Sequence, residues 1–377
     1  MINKRNIPLC IANIGEKEIL AVTEVLQSGW LAHGPKGKEF EQVFSDFIGV
    51  KHSISMNSCT SALELAVQTL PKKGEIILPS FTWVASANSI ITSGFKPVFV
   101  DIDYETNNIN PSKIVEAITK DTVAIMPVHF AGLPCDMDKI IEIAEKYDLT
   151  IIEDSAETLG GEYKGAKTGS FGVGCFSFYP TKNITCGEGG MLTTNDEALA
   201  KKINALKAHG IKTSTYEREK INQPWLRAAT YAGYNYRLCD ILATIGLEQM
   251  KKLETMNSMR IKHAQYLNNN LNYSEIILPF EPDGYKHVYQ MYTIKLDESI
   301  DRTVFLKNLR NDGVGASVHF DPPVHAQPYY RNTNFHLQIT DKVSKSIVTL
   351  PMYPSLSNED LDYIIFSIGN ALKMSKV

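Results

Sequence analysis

The chain is poor in features that mark several classes of protein. Its six cysteines are scattered, with no C-x-x-C pair and no regular spacing, which argues against a zinc site and against a disulfide framework. No apolar run approaches the length of a membrane span, and the N-terminus becomes polar before any stretch of signal-peptide length, so we expect a cytoplasmic location and no membrane partner. Basic residues number 38 against 42 acidic ones, a net charge of −4 that gives no electrostatic footprint for nucleic acid.

Length and periodicity predict two domains of α/β type. A chain of 377 residues is long for one compact unit. Near-continuous apolar strands alternate with helices as far as residue 154, which is typical of a mostly parallel sheet covered on both faces. From about residue 251 the pattern changes to a smaller α+β unit, with a strand expected near 316–320. We therefore predict a large domain over residues 1–250, with an N-terminal arm, and a small domain over 251–377.

The segment Cys175–Met191 combines a short apolar strand, a lysine and a glycine turn. Lys182 stands at the exit of the strand, and Gly187, Gly189 and Gly190 follow it. Glycine lets the backbone pass close to a bound group, because it has no Cβ. A lysine amine at such a place is suited to forming a Schiff base. A solvated lysine in a turn is the commoner interpretation of the segment alone, so other stretches have to decide.

Three more segments place polar or aromatic side chains at strand ends. Asp154 follows a buried strand, where a carboxylate is costly unless it meets a cation or a good hydrogen-bond donor. A strand over 52–57 runs into small hydroxyl residues that open a helix, which makes an anion cup or simply an ordinary helix cap. Trp83 follows the strand Glu75–Pro79 and either fills the core or lies flat against a bound ring.

These segments resemble the DegT/DnrJ/EryC1/StrS family of aminotransferases, which use pyridoxal 5′-phosphate (PLP) and act on nucleotide-linked keto sugars. In that family S-F-x-x-x-K carries the cofactor lysine and G-E-G-G follows it, and Ser177 and Lys182 occupy the matching positions here. Members with histidine in place of the lysine are dehydratases, so the retained Lys182 implies transamination. The resemblance runs from the loop at Trp30 to the segment 350–354. It implies PLP fold type I, an α/β fold like that of aspartate aminotransferase.

The resemblance also implies the residues that bind the cofactor. It makes Lys182 the catalytic residue and Asp154 the partner of the pyridine nitrogen, with Trp83 stacked on the ring. The remaining cofactor contacts are Thr60, Ser61, Glu157, Ser177 and Asn235. Asn235 lies in a G-x-N-x-R segment that, in the family, reaches the phosphate bound by the neighbouring subunit of a homodimer. The chain departs from the family pattern at Cys59, where glycine is usual, and at Glu157, where glutamine or histidine is common.

Six residues are candidates for contacts with the substrate. The candidates are Trp30, Tyr179, Arg227, Arg237, His319 and His325. A packed surface loop is the alternative for Trp30, and buried, hydrogen-bonded positions are the alternative for the two histidines. Because no carboxylate or cysteine accompanies these histidines at ligand spacing, we expect no metal site. The polar run 212–223 predicts an exposed loop that closes over substrate.

Within the family, G-E-G-G after the lysine is more common in enzymes that aminate C4, whereas C3 enzymes more often show G-D-x-G. The expected substrates are therefore a nucleotide-linked 4-keto-6-deoxyhexose and L-glutamate, in the biosynthesis of an amino sugar for a surface polysaccharide or a secondary metabolite. A C3 or cyclitol aminotransferase and a non-catalytic protein of the same fold stay open as alternatives.

Overall fold

A computed structural model describes residues 4–213, 216, 218, 225, 227–331 and 335–377. Most of the predicted loop 212–223 lies outside the described residues. The strands before residue 200 are β1 (His52–Met56), β2 (Glu75–Pro79), β3 (Lys96–Val100), β4 (Thr122–Ile125), β5 (Thr150–Asp154), β6 (Glu162–Tyr163), β7 (Ala166–Lys167), β8 (Val173–Ser177) and β9 (Gly190–Thr194). The later strands are β10 (Ile276–Ile277), β11 (Tyr285–Lys286), β12 (Tyr292–Leu296) and β13 (Ile347–Leu350).

A seven-stranded sheet organises the N-terminal part of the chain, in the order β1-β9-β8-β5-β4-β2-β3. Neighbouring strands from β8 to β3 pair in parallel, whereas β9 runs antiparallel to both β8 and β1. The carboxyl ends of the parallel strands therefore share one edge, and loops that follow them meet there. Asp154 ends β5 and Ser177 ends β8, so the topology brings these two segments together.

Helices cover both faces of this sheet and build the C-terminal part. They are α1 (Glu16–Ser28), α2 (Pro35–Ile48), α3 (Cys59–Gln68), α4 (Val84–Thr92), α5 (Pro111–Ala117), α6 (Met137–Tyr147), α7 (Glu197–Leu206), α8 (Asp240–Met250), α9 (Leu253–Asn270), α10 (Arg302–Asn311), α11 (Gln338–Ser346) and α12 (Asn358–Met374). Their buried residues follow helical spacing, as at Met137, Ile140 and Ile143 of α6. Such apolar faces, packed on buried strands, form the cores beside the large sheet.

The C-terminal core surrounds β12, which lies between β10 and β13 in an antiparallel sheet. The N-terminal arm joins this core: the Ile7 amide donates to the Gly313 carbonyl at 2.8 Å, and the Met352 amide donates to the Leu9 carbonyl at 3.2 Å. The arm of the predicted large domain thus packs on the small one.

The strand predicted near 316–320 is wrong. Only Ser317 pairs there, with Thr349, in an isolated bridge. The chain then reaches Pro322 and Pro323, which lack the amide that a continuing ladder requires.

Aromatic packing and polar contacts join the two units. Phe81 and Phe130 from the large unit share a cluster with Met291 and Phe320. The Asp101 carboxylate accepts hydrogen bonds from two amides at the start of α11. These contacts fix the small unit over the edge of the sheet where the parallel strands end. Within the described residues, no helix has both the length and the apolar character needed to cross a membrane.

Candidate active site

A cavity of about 520 Å³ lies at the carboxyl edge of the large sheet, beneath the small unit. Its wall comes from the sheet edge, from the small unit and from the N-terminal arm. Of the predicted site residues, the wall includes Thr60, Trp83, Asp154, Glu157, Ser177, Tyr179, Lys182 and His319. Most of the side chains singled out in the sequence are therefore brought together by the fold.

Asp154 is the buried carboxylate of this cavity. Its Oδ2 accepts a hydrogen bond from the Ser86 hydroxyl at 2.7 Å, and its Oδ1 accepts one from the Ala156 amide at 3.2 Å. Burial raises the pKa of Asp154 above its usual value, and the nearby charge of Glu157 acts in the same direction, while the two hydrogen bonds oppose them. The carboxylate form of Asp154 is therefore favoured when a positive group enters the cavity beside it.

Lys182 projects from the loop after β8, and its side chain is mostly enclosed. Its Nζ lies 3.3 Å from Oε1 of Glu157, and the other oxygen of Glu157 accepts the Ala131 amide at 2.9 Å. The Lys182 backbone amide donates to the Tyr179 carbonyl at 2.9 Å, which closes a tight turn. The amine is thus held next to a carboxylate at the wall of the cavity, on the same side as Asp154.

The start of α3 forms the cup expected from the sequence, with one difference. Ser58 caps the helix, and its Oγ accepts the Ser61 amide at 3.1 Å. The Ser61 hydroxyl donates to Asn57 at 2.7 Å. Ser61 therefore uses its amide and hydroxyl within the cap and lies outside the cavity wall, although the resemblance implies that it contacts the cofactor. Ser58, Cys59 and Thr60 line the cavity.

We expected the glycines after Lys182 to let the backbone pass close to a bound group, but Gly190 makes room for a neighbouring helix instead. A Cβ on Gly190 would lie 2.3 Å from the carbonyl carbon of Ser58 and 2.4 Å from the Cys59 amide nitrogen. Gly190 therefore lets β9 pass against the start of α3 and shapes the cup indirectly. Gly187 has a φ of +85°, and a Cβ there would meet nothing within 4 Å.

Two aromatic side chains stand open at the mouth of the cavity. Trp83 is 64% exposed and Tyr179 is 49% exposed. Trp83 is the residue that precedes α4, so its indole projects from a helix start instead of filling the core. Large apolar side chains with this exposure at a cavity mouth are typical of a binding surface.

The two histidines of the small unit occupy different environments. His319 lines the cavity, and its Nδ1 is 2.8 Å from the Thr349 hydroxyl. Burial lowers its pKa, so the ring is neutral at pH 7. His325 lies outside the wall, with Nδ1 at 2.7 Å from the Ser80 hydroxyl and Nε2 at 3.3 Å from Asp341. That is the buried, hydrogen-bonded position that the sequence left as the alternative.

Besides Ser61 and His325, four predicted residues lie outside the wall of their own chain's cavity. Asn235 and Arg227 are exposed, and Arg237 is half-buried with its backbone bridged to Met56. Trp30 packs edge-to-face on Tyr216, with ring centroids 5.5 Å apart. The wall of the cavity in one subunit therefore includes none of these four side chains.

The wall also includes residues that the sequence did not single out. They include Cys10 from the arm and Gln290, Met291 and Thr349 from the small unit. No local motif marks them, because they come from segments distant in sequence that meet only when the two units pack. Ser86 was missed because a serine in a helix is usually a minor packing residue.

The arrangement fits PLP. A buried acid suits a protonated pyridine nitrogen, a helix start suits a phosphate, and Lys182 lies on the same wall. When bound, this cofactor supplies an electron-withdrawing ring that stabilises charge on a substrate carbon. Among the described residues, no group of three or more His, Cys, Asp or Glu side chains is placed to hold a metal.

Comparisons with known proteins agree with this site. The sequence model of the DegT/DnrJ/EryC1/StrS aminotransferase family matches residues 12–369. An uncharacterized protein of Methanocaldococcus jannaschii is 42% identical over 384 residues, which cover 99% of this chain and 98% of that protein. The spore coat polysaccharide biosynthesis protein SpsC of Bacillus subtilis is 39% identical over 388 residues, 99% of each chain.

Two solved structures share the fold over nearly their whole length. Helicobacter pylori PseC, an aminotransferase involved in the biosynthesis of pseudoaminic acid, has a TM-score of 0.92 at 26% identity, with 98% of this chain and 100% of that chain covered. DesV of S. venezuelae, solved in complex with a ketimine intermediate, has a TM-score of 0.87 at 28% identity, with 94% of each chain covered. The chain belongs to the DegT/DnrJ/EryC1/StrS aminotransferase family and is a PLP-dependent sugar aminotransferase.

Proposed function

We propose that the enzyme transfers an amino group from L-glutamate to C4 of a nucleotide-linked 4-keto-6-deoxyhexose. The observation that carries the proposal is that Lys182 and Asp154 share a cavity wall with two exposed aromatic side chains, Trp83 and Tyr179. An enclosed pocket would suit a small keto acid, whereas this mouth leaves room for a sugar with its nucleotide outside. The G-E-G-G sequence after Lys182 favours C4 over C3.

The residues take separate roles in this reaction. Lys182 would hold the cofactor covalently through its Nζ atom. When free, this amine would take a proton from the donor α-carbon and later give it back, as a general base and acid. Asp154 would favour a protonated pyridine nitrogen, and the Ser86 hydrogen bond orients the Asp154 carboxylate. Trp83 would lie against the cofactor ring.

The phosphate site is the part for which we propose a contribution from a second subunit. Thr60 and Ser177 line the cavity near the start of α3, and the positive end of that helix favours an anion. Asn235 is exposed and lies outside its own cavity wall, which supports a contact made across a homodimer. The same arrangement gives Arg227 and Arg237 the role of meeting the diphosphate of the sugar nucleotide.

The names of two relatives support a sugar acceptor. SpsC is described by spore coat polysaccharide biosynthesis and PseC by pseudoaminic acid biosynthesis. We place the present enzyme in a comparable route, in which an amino sugar is made for a surface polysaccharide or a secondary metabolite.

A panel of acceptors tests the proposal. The purified enzyme is incubated with L-glutamate and with 4-keto or 3-keto sugar nucleotides, and products are scored by mass and by the NMR position of the new amine. We expect amination at C4. Amination only at C3, or only of a cyclitol ketone, would overturn the acceptor assignment and leave the PLP chemistry intact.

A further inference from the structure

Glu157 is a buried carboxylate whose two oxygens have different partners. It lies just after the end of β5, lines the cavity and is 8% exposed. Its Oε2 accepts the Ala131 amide at 2.9 Å, and its Oε1 lies 3.3 Å from Nζ of Lys182. The backbone contact fixes one oxygen and so aims the other at the lysine.

The contact with Lys182 is the one for which the charge of Glu157 matters. A glutamine of the same shape could accept the Ala131 amide through its side-chain oxygen, but it is neutral and could not balance a positive charge on Nζ. The side chains of Glu157 and Lys182 are only 10% and 17% exposed, so solvent screens their attraction weakly. A carboxylate at this position therefore adds a negative charge that faces the lysine nitrogen.

Lys182 is the cation that balances Glu157 in this cavity. Among the described wall residues it is the only lysine or arginine. The other titratable groups of the same wall are Asp154, Tyr179, Glu188, His319, Cys10 and Cys59.

The other groups of the wall leave this role to Glu157. Burial lowers the pKa of His319 and raises the pKa of both thiols, so these three groups are neutral at pH 7. The Asp154 carboxylate accepts hydrogen bonds from Ser86 and Ala156, and Glu188 is exposed. Of the three carboxylates on the described wall, Glu157 is the one that contacts Nζ.

We propose that Glu157 is a positioning residue that acts through Lys182: it stabilises positive charge on the lysine nitrogen and so makes the amine a stronger base in the reaction. The inference rests on the role given to Lys182 in the proposed function. It depends neither on the sugar nor on the amino donor named there.

The charge matters at the step in which Lys182 takes up a proton. The C–H bond at the donor α-carbon breaks, its electron pair stays with the carbon, and its proton moves to the lone pair of Nζ. The neutral amine thereby becomes an ammonium group next to Oε1 of Glu157. Because a carboxylate stabilises the ammonium form and not the neutral amine, it makes the proton transfer more favourable.

The test follows holoenzyme absorbance against pH in Glu157→Gln, Glu157→Asp and a matched control. The control is Glu188→Gln, which removes an exposed carboxylate from the same wall. The midpoint of the change in visible absorbance reports the loss of a proton from the nitrogen that joins Lys182 to the cofactor. Single turnovers with L-glutamate and with its α-deuterated form give the rate of proton transfer, and circular dichroism checks the fold.

We expect Glu157→Gln to lower the midpoint by about one pH unit or more, because the proton is lost more easily without the carboxylate. Its first half-reaction should be about tenfold slower, with a larger deuterium isotope effect, since proton transfer then limits the rate. Glu157→Asp keeps the charge but moves it away from Nζ, so its midpoint should lie between those of wild type and Glu157→Gln. Glu188→Gln should keep the midpoint and the isotope effect of the wild type.

An unchanged midpoint in folded, cofactor-loaded Glu157→Gln would overturn the inference. An equal shift in Glu188→Gln would overturn it as well, since the overall charge of the wall would then be the cause. If Glu157→Gln does not fold, Glu157→Asp decides: a midpoint below that of wild type supports the inference, and an equal midpoint overturns it.

The midpoint needs neither sugar nor donor, so a wrong substrate leaves it unaffected. If borohydride fixes the cofactor to another lysine, the role proposed for Lys182 fails. If the cofactor is fixed to Lys182 and the midpoint of Glu157→Gln is unchanged, the role of Glu157 alone is overturned.

Discussion

The Ser86 hydroxyl donates a 2.7 Å hydrogen bond to Oδ2 of Asp154, which joins the first turn of α4 to the end of β5. The contact fixes the carboxylate in the floor of the cavity. Because burial still raises the pKa of Asp154, the carboxylate is best stabilised by a cation that enters the cavity. A protonated pyridine nitrogen is such a cation.

Asp154→Asn should slow the first half-reaction with glutamate by about a hundredfold or more, because an amide cannot stabilise a positive charge on the ring nitrogen. Ser86→Ala should slow it by about fivefold, the effect of one lost hydrogen bond. Single-turnover absorbance gives both rates, and circular dichroism checks the fold. If Asp154→Asn keeps more than about a tenth of the wild-type rate, Asp154 does not have the role proposed for it.

Gly190→Ala should weaken PLP binding, because the added Cβ pushes β9 away from the Ser58–Cys59 backbone that shapes the anion cup. Gly187→Ala is the matched control in the same turn. Its positive φ makes it strained by about 1 kcal/mol, but its Cβ points into open space. Titration of cofactor-free protein with PLP, alongside urea unfolding, separates the two effects. Equal PLP affinities in the two variants would contradict the role given to Gly190.

Mixed dimers test the contact of Asn235 with a second subunit. Lys182→Ala and Asn235→Asp should each be inactive or nearly so, the latter because its added charge repels phosphate. After subunit exchange, one site of each mixed dimer has an intact lysine and an intact asparagine. Activity should therefore partly return. If exchange is confirmed and activity stays absent, Asn235 serves the site of its own subunit.

Lys295 gives the protein a specific dependence of stability on pH. Its Nζ donates to the Tyr104 carbonyl and lies 3.3 Å from Asn107, and burial lowers its pKa to about 8. The unfolded lysine titrates near 10.4, so between about pH 8 and pH 10.4 the unfolded state binds more protons. The contribution of Lys295 to the free energy of unfolding therefore increases as pH rises through that window, and it is lost as pH falls through about 8.

The comparison that isolates this effect is between wild type and Lys295→Met. Unfolding free energies from urea titrations at several pH values between 7.5 and 9.5 should rise more steeply, or fall less steeply, with pH in the wild type. The buried cysteines titrate in both proteins and cancel in the difference. Parallel pH profiles would show that Lys295 is not the titrating group.

The sequence was sufficient for the family, the fold class and the use of PLP, all of which are confirmed. Most strands and helices were predicted from local periodicity, because buried strands and amphipathic helices carry their signal in adjacent residues. The strand near 316–320 was wrong, since apolar alternation alone does not show that a partner strand is present. Helix α2 went unpredicted, although Phe40 and Phe44 lie at helical spacing on its buried face.

The residues of the candidate site also divide into those that local sequence locates and those whose place depends on how distant segments pack. Motif residues such as Asp154 and Lys182 were located from the sequence, because strand ends in a parallel sheet converge. The roles assigned to them stay predictions. Gln290, Thr349 and Cys10 could not be located, since their place in the wall depends on how the small unit and the arm pack on the sheet. Asn235 and Trp30 lie outside the wall of their own chain's cavity, and the contact of Asn235 with a second subunit stays a prediction.

The covalent attachment of the cofactor to Lys182 tests the central claim most directly. The holoenzyme is treated with borohydride, which makes the bond between cofactor and amine permanent, and is then digested and mapped by mass spectrometry. The cofactor mass should be found on the peptide that contains Lys182, and Lys182→Ala should keep the fold while losing both the label and turnover. A label on any other lysine of the wild-type enzyme would contradict the account.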